Sequence, residues 1–126
     1  GQGILLWKIL YSYVSILESK YKTWNFIKYS DFALDPHKQF KKLFKRLNIP
    51  FTDAVNFKID DLCSDKNKVK LPLGQRDRHK RNSQALIYRW HEILTEEEIN
   101  RIKNEVSSIS KKWYTDLDWI RPPSIA

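Results

Sequence analysis

Three glycines, one cysteine and no methionine stand among 126 residues. Each scarcity excludes something. With so few glycines, a Gly-rich phosphate loop is unsupported by composition, and no G-x-x-x-x-G-K-[ST] or G-x-S-x-G pattern occurs. Cys63 is the only thiol, which excludes an intrachain disulfide framework and a Cys-based zinc site. A lone thiol is compatible with a reducing compartment, and the cytoplasm is the expected one. The absence of any Asn-x-Ser/Thr sequon points away from a glycosylated, secreted chain. No basic start with a small-residue cleavage site opens the chain, and Ile4 to Leu10 is too short an apolar run to span a bilayer. The histidines His37, His79 and His91 show neither His-x-x-x-His nor HExxH spacing, so no metal is expected.

What is present suffices for a core. Hydrophobic residues make up 41%, with five Trp, six Tyr and six Phe, and the length suits one domain. The chain enters an apolar helix at once without an initiating Met, which leads us to expect either a single domain over 1–126 or a portion of a larger one.

The formal net charge of +8 is unevenly placed. Lys66 to Arg81 holds seven basic residues and a single acid, Asp77, a net of +6. The remaining 110 residues hold 16 basic and 14 acidic residues. Leu71-Pro72-Leu73-Gly74 interrupts the segment, so a loop is expected there.

Hydrophobic spacing predicts about five helices and one short strand. The first helix runs from Ile4 to about Tyr21, with Leu6, Ile9, Leu10, Tyr13, Leu17 and Tyr21 as its apolar stripe. Trp24 to Tyr29 is aromatic-rich and partly alternating, and reads as a strand with no partner in the chain. Asp35-Pro36 is a helix start, followed by Phe40, Leu43, Phe44 and Leu47, and Asn48-Ile49-Pro50 ends that helix. Thr52 caps a helix facing inward through Val55, Ile59 and Leu62. Ser83 opens one carrying Leu86, Ile87, Trp90 and Leu94. Thr95 and Glu98 form a capping box, with Glu96 to Glu98 at the positive end of the helix dipole, Lys111 and Lys112 at its negative end, and Ile99, Ile102, Val106, Ile109 and Trp113 between.

Chemistry-bearing residues are few. His37 and His91 read as solvated or packing residues, and His79 sits among cations. Asp31 is either a turn residue or a side chain pointing into a site. Asp60 and Asp61 are neighbours, so on a helix they face different ways. Arg76-Asp77-Arg78-His79-Lys80-Arg81-Asn82-Ser83 joins Arg forks, a Lys point charge and the amides of a helix start, the ingredients of a phosphate site. A solvated charge run and a nucleic-acid contact remain open. Nucleic acid is less expected, because the basic residues are not interleaved with aromatics.

The order of these segments resembles the C-terminal part of PAPS-dependent sulfotransferases, the bacterial-type branch above all. Phe26-Ile27-Lys28-Tyr29-Ser30-Asp31-Phe32, after a helix with Trp7 and Tyr11, is similar to the family's "vrYEDL" strand. Asp35-Pro36 with Phe40 to Pro50 resembles "DP…F..L..FLGLP", and Arg81-Asn82-Ser83 with Trp90 resembles "KRDS…W". Leu94 to Ile99 resembles "LSPEEI", and Trp113-Tyr114 to Trp119 the closing "FY…W". The likeness implies an α/β parent fold with a P-loop-like cradle, of which this mostly α chain would be the C-terminal portion. It implies transfer of a sulfuryl group from PAPS to an acceptor hydroxyl or amine by in-line displacement. The family's 5′-phosphosulfate loop, catalytic Lys and general base lie upstream and have no counterpart here, so no catalysis is expected of this chain alone. Its late basic loop would close over the 3′-phosphate of PAPS or PAP, with Lys80, Arg81 and Ser83 as contacts and Arg76 and Arg78 beside them. Asn82 stands where relatives often carry Asp. The alternative is a non-enzymatic basic helical module that binds nucleic acid or an acidic protein partner.

Overall fold

The structure is a computed structural model, and residues 1–69 and 80–122 of it are described. They form six α-helices: α1 (Gln2–Lys20), α2 (Tyr29–Leu34), α3 (Pro36–Arg46), α4 (Asp53–Cys63), α5 (Ser83–Ile87) and α6 (Glu96–Ser110). Two 3-10 turns follow α5 and α6, at Arg89–Glu92 and Asp116–Trp119. The described residues divide into two compact units, one made of residues 1–27 and 91–122, the other of residues 28–69 and 80–90.

In the first unit α1 packs on α6. The capping box of α6 is formed as its sequence predicts: the Glu98 amide donates to Thr95 Oγ1 at 3.3 Å, and the Thr95 amide donates to Glu98 Oε2 at 2.9 Å. Ile99 and Val106 are buried on its inner face, 4% and 2% exposed. The face that α1 turns to the unit is not the expected one. Trp7, Tyr11, Val14 and Glu18 are half-buried, while Leu6, Ile9, Leu10 and Tyr13 stay exposed. The reason is that α1 is apolar around most of its circumference, so spacing alone fits two faces. Ring contacts decide between them. Trp7 stacks on Tyr11 at 4.1 Å, Tyr11 meets the edge of Trp113 at 5.7 Å, and Lys112 reaches Glu18 at 2.8 Å and the Ser15 hydroxyl at 2.7 Å.

The expected strand from Trp24 to Tyr29 is not formed, and no strand occurs among the described residues. Tyr29 already begins α2, after Lys28 in extended conformation. A strand needs a neighbour to take its backbone groups, and none is at hand. The aromatics are used otherwise: Tyr21 stacks on Trp24 at 4.5 Å, and Trp24 lies 6.2 Å from Phe26.

In the second unit α2 packs against α3 and α5, and α3 against α4. Asp35 accepts from the Lys38 amide at 3.2 Å, with Pro36 at the first helical position. Phe40 meets Phe32 edge-on at 4.9 Å, and Phe44 meets Phe51 at 5.5 Å. The end of α3 is a Schellman motif. Ile49 N–H donates to the Phe44 carbonyl at 2.9 Å and Asn48 N–H to that of Lys45 at 3.2 Å, with Asn48 at φ 56°. Thr52 Oγ1 accepts from the Val55 amide at 3.4 Å, and α4 buries Ile59 with Val55 and Leu62 beside it. The helix expected from Ser83 to Leu94 stops instead at Ile87. Leu86 through His91 are all at least half-buried, and six successive enclosed residues cannot share one helical face, so the chain changes to a 3-10 turn.

The left-handed Asn48 predicts its own mutant series. Asn48→Val should cost about 1–2 kcal/mol in urea unfolding, and Asn48→Gly should stay within about 0.5 kcal/mol of wild type. Equal losses from both would remove the conformational explanation.

Candidate functional site

The last carbonyls of an α-helix have no partner within it, and its end carries partial negative charge. The last turn of α4 contains no basic residue of its own. The chain brings them from beyond. Arg81 N–H donates to the Leu62 carbonyl at 3.0 Å, and Lys80 Nζ lies 2.6 Å from Asp61 Oδ1. Asn67 Nδ2 donates to the Asp61 carbonyl and Asn82 Nδ2 to that of Asp65, both at 3.0 Å. Both described ends of the basic segment, Lys66–Val69 and Lys80–Arg81, are non-helical, in keeping with the loop reading. The Leu71-Pro72-Leu73-Gly74 interruption lies outside the described residues.

These contacts sort the expected site residues. Lys80 is engaged by Asp61, which also meets Lys58 at 3.4 Å. The hydrogen bond from Lys80, with its charge, holds the Asp61 carboxyl below the ordinary aspartate value, against the opposing effect of burial. Arg81 differs: one terminal guanidinium nitrogen, Nη1, is enclosed and has no hydrogen-bond partner. Ser83 is buried, at 9% exposure. Of the amides at this helix start, that of Ala85 is already taken. Asn82 is the N-cap, its Oδ1 accepting from the Ala85 amide at 3.0 Å. Sequence reading gave Asn82 no role, although Asn is a favoured cap and Ala85 stands at the right distance along the chain. Arg76, Arg78 and His79 lie outside the described residues.

Of the acids and histidines, Asp31 lies 3.4 Å from Lys28 in the first turn of α2. His91 lies in the 3-10 turn. His37 is more engaged than its expected surface position implied. Its Nδ1 is 2.8 Å from Asn56 Oδ1 and its Nε2 is 2.7 Å from Asp60 Oδ1, so it ties α3 to α4. The signal was the i, i+4 spacing of Asn56 and Asp60, which puts both on one face of α4. With both ring nitrogens engaged, His37 offers no atom for general-base work. Asp60 and Asp61 diverge as expected, one toward His37 and one toward Lys80.

An open cleft of about 530 Å³ adjoins this region, with Asp35, His37, Asp60, Cys63, Asp65 and Lys66 in its wall. Three carboxylates against one lysine make it a poor place for a phosphate, and Lys80, Arg81 and Ser83 are not among its lining residues. Among the described residues no group of three His, Cys, Asp or Glu side chains is placed to hold a metal ion. The charge of the chain is confined to this unit: residues 28–90 contain fifteen basic and seven acidic residues, which is the whole net charge of +8.

The Asp61–Lys80 pair has a defined pH signature. A carboxyl held below its ordinary value of 3.8 stabilises the fold above that pH, and the contribution is lost as pH falls through the lower folded value. Carboxyl NMR titration should place the Asp61 midpoint below 3.8, and Lys80→Met should raise it. An unmoved midpoint would mean that the pair does not persist in solution.

No protein-family model matches the chain, and no curated protein or solved structure is found similar to it.

Proposed function

We propose that this chain is the C-terminal part of a PAPS-dependent sulfotransferase and that Arg81 contributes to holding the 3′-phosphate of PAPS or PAP. The observation that carries the reading is the enclosed Nη1 of Arg81, without a hydrogen-bond partner, at the end of a segment with net charge +6. Leaving an enclosed charged donor unsatisfied costs about 1–3 kcal/mol, and an anion at that nitrogen would offset it. The order of the family-like motifs from Trp7 to Trp119 supports the same reading. Lys80 would contribute less, since Asp61 already engages it. Ser83 would contribute from its buried position at the start of α5, and Arg76 and Arg78 from the loop.

In such an enzyme the bond from sulfur to the bridging oxygen breaks as the acceptor oxygen or nitrogen bonds to sulfur in line. Negative charge then grows on the departing PAP. Cations at its 3′-phosphate fix the nucleotide in register for that displacement. The acceptor proton goes to a base outside this chain.

A second reading rests on a separate observation. α3 carries Lys38, Lys41, Lys42 and Lys45, all exposed, and no acid. A single-sign stripe of this kind suits a basic module meeting nucleic acid or an acidic protein.

Calorimetric titration with PAP and with adenosine 5′-monophosphate separates the two. The first reading expects PAP to bind at least about 10-fold tighter than the monophosphate, and Arg81→Ala to weaken PAP alone by about 10–100-fold, the worth of one or two charge-assisted hydrogen bonds. Equal PAP binding by wild type and Arg81→Ala, or none by either when the upstream half is supplied, defeats it. Binding of random oligonucleotide with a steep salt dependence would favour the second reading.

A further inference from the structure

The interleaving of cations with aromatic rings that the basic loop lacks occurs at the end of α1, in the other unit. Lys20-Tyr21-Lys22-Thr23-Trp24 leaves the helix through a turn. Tyr21 closes α1, and the Trp24 amide donates to the Tyr21 carbonyl at 3.1 Å. The turn holds the two rings stacked, 4.5 Å apart and 13° from parallel. Of the five tryptophans, Trp24 is the exposed one, and the other four are half-buried. With Tyr21 against one face and 54% of the residue still exposed, the opposite face of the indole is open. Turn and stack fix that ring before any ligand arrives, so a second ring laid on it loses little side-chain freedom.

The donors beside the ring are unengaged. Lys22 and Thr23, the two central residues of the turn, are exposed, and no hydrogen bond or ion pair holds their side chains among the described residues. Lys20 is exposed and makes no ion pair; its Nζ lies 5.2 Å from the centroid of the Tyr21 ring. The nearest acid along the chain, Glu18, is taken by Lys112 at 2.8 Å.

These two features select the ligand together. An open indole face takes a flat ring, and two unpaired ammonium groups beside it take an anion. A nucleobase with its adjoining phosphate supplies both. An apolar protein surface laid on the ring would remove water from Lys20 and Lys22 and give them no partner. A neutral sugar would cover the ring and leave the charge unused. We propose that Trp24, with Lys22 and Lys20, is a stacking site for a nucleotide unit, either free or within a single strand. The site lies in the unit that does not contain Arg81, and it does not rest on the sulfotransferase reading.

The test is quenching of tryptophan fluorescence in the 126-residue chain by a thymidine oligonucleotide and by adenosine 5′-monophosphate. The expected result is saturable quenching. Quenching by both assigns the site to a free nucleotide as well, and quenching by the oligonucleotide alone assigns it to a strand. Trp24→Ala should weaken binding by about 5–150-fold, the worth of one stacked base. Trp24→Phe keeps a flat ring and should retain most of the affinity, which guards against loss of fold as the cause. Lys22→Ala should flatten the slope of log K against log salt for the oligonucleotide by about 0.7, one phosphate contact fewer. Absence of quenching by either probe overturns the proposal, as does an affinity that Trp24→Ala leaves unchanged. Strand binding that Lys41→Ala with Lys42→Ala abolishes while Trp24→Ala spares it overturns it too, and returns the contact to α3. Response to a sulfated polysaccharide in place of both nucleotide probes would likewise sink it.

Discussion

The second unit depends on how the C-terminal end of α4 is satisfied. That end offers carbonyls and partial negative charge, and the chain returns from the basic loop to meet them at Leu62 and Asp65. The consequences pass along the sequence. Once Arg81 and Asn82 are fixed to α4, Asn82 can cap α5, which places Ser83 in the interior. Gln84 then reaches the Leu34 carbonyl at 2.9 Å, closing the C-terminal end of α2. α2 in turn carries Ala33 and Phe32 against the rest of the unit. One helix terminus thus sets the position of two other helices through three short side-chain hydrogen bonds and one backbone bond.

This arrangement divides labour among cations that the sequence presents as equals. Lys80 and Arg81 are adjacent in a basic run, yet they are held differently. Lys80 gives its side chain to Asp61, and Arg81 gives its backbone to Leu62. The distinction matters because an ammonium already beside a carboxylate adds little net field at a distance. A guanidinium whose nitrogen lacks a partner keeps its full charge and its directed donors. Counting basic residues in the segment therefore overstates how many can serve a ligand, and the acids of α4 are the reason.

Legibility followed the range of the forces involved. Caps act within four residues, so Asp35, Thr52 and the Thr95–Glu98 box could be read directly, as could the stop at Asn48. The apolar face of α6 was legible because charged residues fill its other sides. α1 gave no such contrast, and the packed face was chosen by Trp113 and Lys112, about a hundred residues away. The segment after Trp24 looked like a strand because aromatics and alternation are shared by strands and by ring clusters. At the site, the helix start at Ser83 was legible, but its cap, Asn82, was given no role, and the grip of Asp61 on Lys80 has no sequence signature. His37 was underestimated because its partners sit 19 and 23 residues away on another helix.

The two units solve the surface problem in opposite ways. In the first, cations are matched with acids: Lys112 with Glu18, Lys103 with Asp116 at 2.7 Å, Arg101 with Glu105 at 4.0 Å and Arg121 with Glu92 at 3.8 Å. Exposed pairs of this kind contribute only about 0–1 kcal/mol each, so stability is a weak account of their number. They accompany a unit with equal numbers of basic and acidic residues. In the second unit α3 exposes lysines without acids, and the field is tempered by fewer carboxylates, among them Asp60 and Asp61 near the end of α4. Net charge governs association more than fold. A neutral unit with an open apolar face is suited to contacts made by shape and area, while a unit of net charge +8 is suited to an anion. Salt concentration is therefore the variable that would distinguish association through one unit from association through the other.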